Sequence, residues 1–233
     1  ASDVAAFCRE IIEATAYAAA AYKPNWAFFE ALGIEGMRAL EKTLEAVPDD
    51  IPVIADAKRG DIGNTAGRYA CAIFEQFGAD AVTLNAYMGV ETLEPFLAYA
   101  DKGVYVLCLT SNPGSEDFQL PERLYLRVAS ALAERDPEGK QIGLVVGATQ
   151  SERISEVRVA APKAPILLPG VGTQGGSAEA AVKGAWGEGR VPVLVNVSRS
   201  VLYAASDANF AEAAREAAGH YRDILQACRA KAL

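Results

Sequence analysis

Apolar positions along the chain fall into two periods that alternate from one end to the other. Short apolar runs bounded by glycine, proline or charge recur at 53–55, 81–85, 104–109, 142–147, 165–168 and 193–197. Runs this short and this continuous read as strands buried on both faces. Between them apolar residues recur three and four apart, the helical spacing. The first such stretch is 2–19, capped by Ser2 or Asp3, with Val4, Phe7, Cys8, Ile11, Ile12 and Thr15 on one face. Others are 36–47, with Met37, Leu40, Leu44 and Val47 on one side, then 64–77, 90–99, 121–134, 151–160, 178–185 and a long final helix ending near Lys231. An extended segment over 21–28 carries Lys23-Pro24-Asn25, where the proline confines it to a strand edge or end.

That tally is seven strands and eight helices. Strict alternation predicts an α/β fold with an all-parallel sheet wrapped by helices. No linker, charge run or composition shift divides residues 1–233, so a single (β/α) barrel domain is expected. A closed (β/α)8 TIM barrel needs eight strands. Either the sheet is open, or the first strand is missing from the chain and lies ahead of Ala1.

Composition narrows the chemistry. With 51% hydrophobic residues the chain can bury a sizeable core. A net charge of −8 without any basic cluster argues against nucleic acid as a partner. An anionic ligand would have to be held by a few placed groups. Cys8, Cys71, Cys108 and Cys228 are scattered with no CxxC pair, which reads as structural thiols in a reducing cytoplasm. His220 is the only histidine, so a histidine-based metal site or catalytic triad is nearly excluded. No apolar run reaches membrane-spanning length and no signal peptide opens the chain, so a cytoplasmic protein without a membrane partner is expected.

Three loops concentrate the candidate chemistry. In IPVIADAKRGDIGNT, residues 51–65, a buried strand ends in Asp56 and Lys58. Side chains two apart on a strand share a face, so the pair points the same way. Asp61 follows just before a helix, and Thr65 in that helix's first turn offers a hydroxyl and an N–H to an anion. Counting Arg59, four charges crowd one strand exit, where parallel α/β folds place their chemistry. The second loop, residues 110–114, is Thr-Ser-Asn-Pro-Gly at another exit. The third constellation joins the glycine-dense loop PGVGTQGG, residues 169–176, to Ser198-Arg199-Ser200 after the last strand. Glycines let backbone N–H groups approach phosphate oxygens, and Arg199 supplies a planar two-pronged donor. Gln174 would bridge a phosphate and the rest of a ligand.

Taken together, KPN-x-AFFE, DAKRGDIGNTA, TSNPGS, LLPGVG-x-QGG and a last-strand arginine strongly resemble the orotidine 5'-phosphate decarboxylase family, in its bacterial type 2 branch. The resemblance covers Lys23 to about Tyr203. It implies a (β/α)8 barrel and a homodimer with shared active sites. The implied reaction converts orotidine 5'-monophosphate to uridine 5'-monophosphate, the last step of de novo UMP biosynthesis, with no metal and no other cofactor. On this resemblance Lys58 protonates C6, Asp56 sits beside the substrate carboxylate, and Lys23 holds the charge array in place. Asp61, Ile62 and Thr65 reach the partner subunit's site. Ser111 contacts the pyrimidine, Gln174 and the loop around Gly172 the phosphate and base, and Arg199 with the N–H of Ser198 the phosphate. Two departures stand out: the family's ribose-binding aspartate on a first strand has no counterpart here, and Ser198 replaces its usual glycine. Two other readings stay open at this stage: a magnesium-dependent sugar-phosphate decarboxylase or aldolase of the same structural group, and a non-catalytic phosphate-binding barrel.

Overall fold

The structure is a computed structural model that describes residues 2–171, 178–186 and 191–232. Helix α1 (Ser2–Thr15) opens the chain, and Tyr22 and Asn25 then bridge in parallel to Val53 and Asp56. Helices α2 (Trp26–Glu30) and α3 (Gly33–Leu44) lead into strand β1 (Ile54–Arg59). Thereafter strand and helix alternate: α4 (Gly63–Cys71), β2 (Ala81–Leu84), α5 (Glu94–Leu97) and β3 (Gly103–Leu109). Next come α6 (Ser115–Phe118), α7 (Leu124–Arg135), β4 (Ile142–Val146), α8 (Ser151–Ala160) and β5 (Ile166–Pro169). The chain closes with α9 (Ala178–Trp186), β6 (Val193–Asn196), α10 (Arg199–Leu202) and α11 (Phe210–Ala232).

All six strands pair in parallel in chain order, β1 to β6. The sheet curls, because Ala21 at one end of that order and Leu194 of β6 at the other line the same cavity, of about 180 Å³. Alternation along the strands sets two faces. Ala55, Val82, Leu84, Val104, Val106, Ile166 and Leu168 join the core shared with the helices. Ile54, Asp56, Ala81, Thr83, Leu107, Val145 and Leu167 line the inside of the curl. Strand β6 is only half-buried along its length, while β2 and β4 are buried throughout.

Three expectations need correcting. Over 21–28 the chain makes only the two bridges before turning into α2, so the described residues hold six strands rather than seven. Helix α2 is too short to be stable alone. It is held by Asn25, whose side chain accepts the N–H of Ala27, and by burial of Trp26 and Phe29, each worth about 2–3 kcal/mol. Strand β1, expected to end in Asp56 and Lys58, runs one residue further, to Arg59. Helix 64–77 is an α-helix only to Cys71 and continues as a π-turn over Ala72–Gln76. Among the described residues no helix is long and apolar enough to cross a membrane.

Candidate active site

The register of β1 shapes the site. Between Ala55 and Arg59 it advances four residues while β2 advances two, from Val82 to Leu84, so β1 bulges here. Within the bulge Lys58 takes a left-handed backbone, φ 46°, a conformation costly for a residue with a Cβ. The bulge aims the Lys58 ammonium back at Asp56, so the two side chains meet as simple alternation predicts, by a less regular path.

Asp56 lies between two lysines. Its Oδ2 accepts from Lys23 Nζ and its Oδ1 from Lys58 Nζ. The backbone of the Lys23 segment docks alongside, with Asp56 N–H donating to Pro24 O at 3.0 Å. Thr83 of β2 completes the array: its hydroxyl donates to Asp56 Oδ1 at 3.0 Å and accepts the Lys58 N–H at 3.0 Å. The side chains of Asp56 and Lys23 are 7% and 14% exposed, while that of Lys58 is 49% exposed and reaches water. Burial works to raise the Asp56 pKa, but the charges and hydrogen bonds of Lys23 and Lys58 outweigh it and hold the carboxyl below its ordinary value. Burial pulls the Lys23 ammonium below the ordinary lysine value, against the opposing pull of Asp56.

These groups open onto a cavity of about 240 Å³. Leu107, Val145 and Leu167 give it an apolar floor, and Thr110, Ser111 and Asn112 form a polar rim. The rim is braced by Gln119, which accepts the Thr110 N–H at 2.7 Å and donates to Thr110 Oγ1 at 2.9 Å. Gly147 lets the Ser111 loop approach β4, since a Cβ there would stand 2.8 Å from Ser111 N. Two ammoniums against one buried carboxylate leave an excess positive charge in a chain of net charge −8, a local field suited to an anion.

The structure brings Lys23, Asp56, Lys58 and Ser111 to one cavity. Arg59 does not join them. It turns to the helix side, pairs with Glu30, and lies over the rings of Trp26 and Tyr69, 5.8 and 5.3 Å from their centroids. Asp61 accepts the N–H of Ile62 at 2.8 Å and, among the described residues, forms no ion pair. Ile62 and Thr65 are exposed at the start of α4. Ser198 and Arg199 are exposed at the start of α10. Gly172 and Gln174 lie outside the described residues. Among the described residues no group of three or more His, Cys, Asp or Glu could hold a metal ion. Thr83 and the apolar floor were missed by the sequence reading; the signal available was a lone hydroxyl at an inward position of the otherwise apolar AVTL strand.

A curled parallel sheet carrying ammonium and carboxylate groups at the C-terminal ends of its strands defines an α/β enzyme of the barrel class. Residues 1–216 match the Orotidine 5'-phosphate decarboxylase / HUMPS family. The chain is 48% identical to an orotidine 5'-phosphate decarboxylase of Herpetosiphon aurantiacus, over 94% of this chain and 82% of that protein. It is 50% identical to one from Roseiflexus castenholzii, over 95% of this chain and 83% of that protein. The solved structure of Leishmania donovani OMP decarboxylase superposes with a TM-score of 0.87 at 41% identity, covering 97% of this chain and 87% of that one. The chain therefore belongs to the orotidine 5'-phosphate decarboxylase family.

Proposed function

We propose that the chain converts orotidine 5'-monophosphate to uridine 5'-monophosphate by fixed charge, with Lys58 as the proton donor to C6. The observation that carries this reading is Asp56 held between Lys23 and Lys58 above an apolar floor. As the bond from C6 to the carboxylate carbon breaks, carbon dioxide leaves and the electron pair stays on C6. The ring offers that pair no sink, so stabilisation has to come from charge already in place. Lys58 supplies an ammonium there and passes its proton to C6. Its half-exposed side chain then regains a proton from water. Asp56 faces the substrate carboxylate, and Lys23 keeps Asp56 ionised and oriented. The rim residue Ser111 meets the pyrimidine, and Leu107, Val145 and Leu167 pack its face. Gln174 and the Gly172 loop, with Ser198 and Arg199, take the phosphate, whose binding energy helps to close and orient the site.

The working unit in this reading is a cytoplasmic homodimer in which Asp61, Ile62 and Thr65 complete the partner's site. Its support is the exposure of Ile62, Tyr87 and Met88 on neighbouring strand exits, together with an Asp61 that pairs with no lysine of its own chain among the described residues. The test is loss of orotidine 5'-monophosphate absorbance with purified protein, with and without a chelator, beside Lys58→Ala. Chelator-insensitive conversion that falls at least about a thousandfold in Lys58→Ala, with product affinity kept, is expected. Near-normal turnover in Lys58→Ala would remove Lys58 from the proton-donor role.

A further inference from the structure

We propose that Thr83 is a positioning residue for this reaction: one hydroxyl ties the strained Lys58 backbone to the carboxylate of Asp56 and so sets where the Lys58 ammonium points. The proposal rests on the reading of Lys58 and Asp56 given above.

The direction of both hydrogen bonds is forced. The Lys58 backbone N–H can only donate, and an ionised carboxylate can only accept. Thr83 Oγ1 stands 3.0 Å from each, so its single proton goes to Asp56 Oδ1 and its lone pair receives Lys58 N–H. Nothing is left to rotate, since the hydroxyl is buried and both of its roles are taken. The bond to the backbone holds Lys58 at φ 46°, inside the bulge between Ala55 and Arg59. The bond to Oδ1 fixes the carboxylate plane, so that Oδ1 faces Lys58 and Oδ2 faces Lys23. A left-handed lysine persists only where its surroundings over-determine it; here the Thr83 hydroxyl does so on one side, and the Asn85 N–H, which donates to Arg59 O at 2.8 Å, on the other.

The rest of β2 sharpens the point. Ala81, Val82 and Leu84 are what a buried parallel strand calls for. At position 83 valine would fill the same volume with better strand propensity and no hydroxyl to satisfy. Packing therefore gives no reason for threonine there, and hydrogen bonding to the two charged residues does.

Thr83→Val keeps the shape and removes the hydroxyl. The expected result is a kcat lower by about tenfold to a hundredfold with KM within about threefold, since the floor, the rim and the phosphate groups are untouched. Thr83→Ser, which restores the hydroxyl but loses a methyl, should recover most of the lost kcat. A merely structural role predicts the opposite order, with the valine variant nearer to wild type than the serine variant. Should Thr83→Val fail to fold, Thr83→Cys makes the same comparison with a weaker donor. A Thr83→Val kcat within about twofold of wild type, or no recovery in Thr83→Ser, would overturn the proposal. Lys58→Ala assayed alongside separates the levels: its loss of turnover with an unaffected Thr83→Val defeats the positioning role alone, while near-normal turnover in Lys58→Ala defeats the underlying reading and this proposal together.

Discussion

Two ammonium groups converge on the single carboxylate of Asp56, and removing its charge leaves both without a partner inside the sheet. Breaking a buried pair from one side typically costs about 3–5 kcal/mol. Because Lys58 can turn to water, Asp56→Asn is expected near the low end, about 3 kcal/mol by urea denaturation at pH 7, with turnover abolished. The pH dependence follows from the lowered pKa of Asp56. A carboxyl whose folded pKa lies below its unfolded value of about 3.9 gives its full stabilisation above that value and loses it as pH falls through the folded pKa. The stability gap between wild type and Asp56→Asn should hold steady from about pH 8 to pH 5 and shrink below about pH 4. A gap that stays constant into the acid range would mean that the pairing is not what Asp56 contributes.

At the scale of elements, β1 shows what was legible and what was not. The apolar run before Asp56 marked a buried strand, and period two placed Asp56 and Lys58 on one side; both hold. The bulge was hidden because it is made with β2, a partner 27 residues away that no local pattern announces. In sequence Arg59 counts as a fourth charge at the exit, yet it faces the helices, where it joins three elements at once. Its guanidinium pairs with Glu30 of α2, donates to Ala57 O at 3.3 Å, and lies over Tyr69 of α4. Helix α2 follows the Lys23 segment and α4 follows Asp61, so this clamp fixes both flanks of the site. Lysine keeps the charge but not the planar fork or the ring contacts. Arg59→Lys should cost about 1–2 kcal/mol, seen as a melting temperature lower by about 2–8 °C. An unchanged melting temperature would show that the planar fork and the two ring contacts carry no stability.

Over the whole molecule, alternating strands and helices made the parallel sheet legible, and motif order along the chain pointed to the family. What the alternation of strands and helices leaves open is what covers the apolar side chains at the exits of β1 and β2. Ile62 is 57% exposed and Tyr87 83% exposed at the exits of β1 and β2, an arrangement that leaves apolar side chains in water unless another surface covers them. Asp61 stands on the same loop without a lysine partner among the described residues. If each site draws Lys58 from one subunit and Asp61 from the other, Lys58→Ala and Asp61→Ala fail for different subunits' reasons. Co-folding the two inactive variants would produce hybrids in which one site carries both lesions and the other carries neither. With random pairing half the dimers are hybrids and half of their sites are intact, so about a quarter of wild-type activity should return. Each variant mixed with itself would recover nothing. Hybrids confirmed by differential tags but still inactive would place Asp61 in its own subunit's site, and the exposed apolar loops would then need a different occupant.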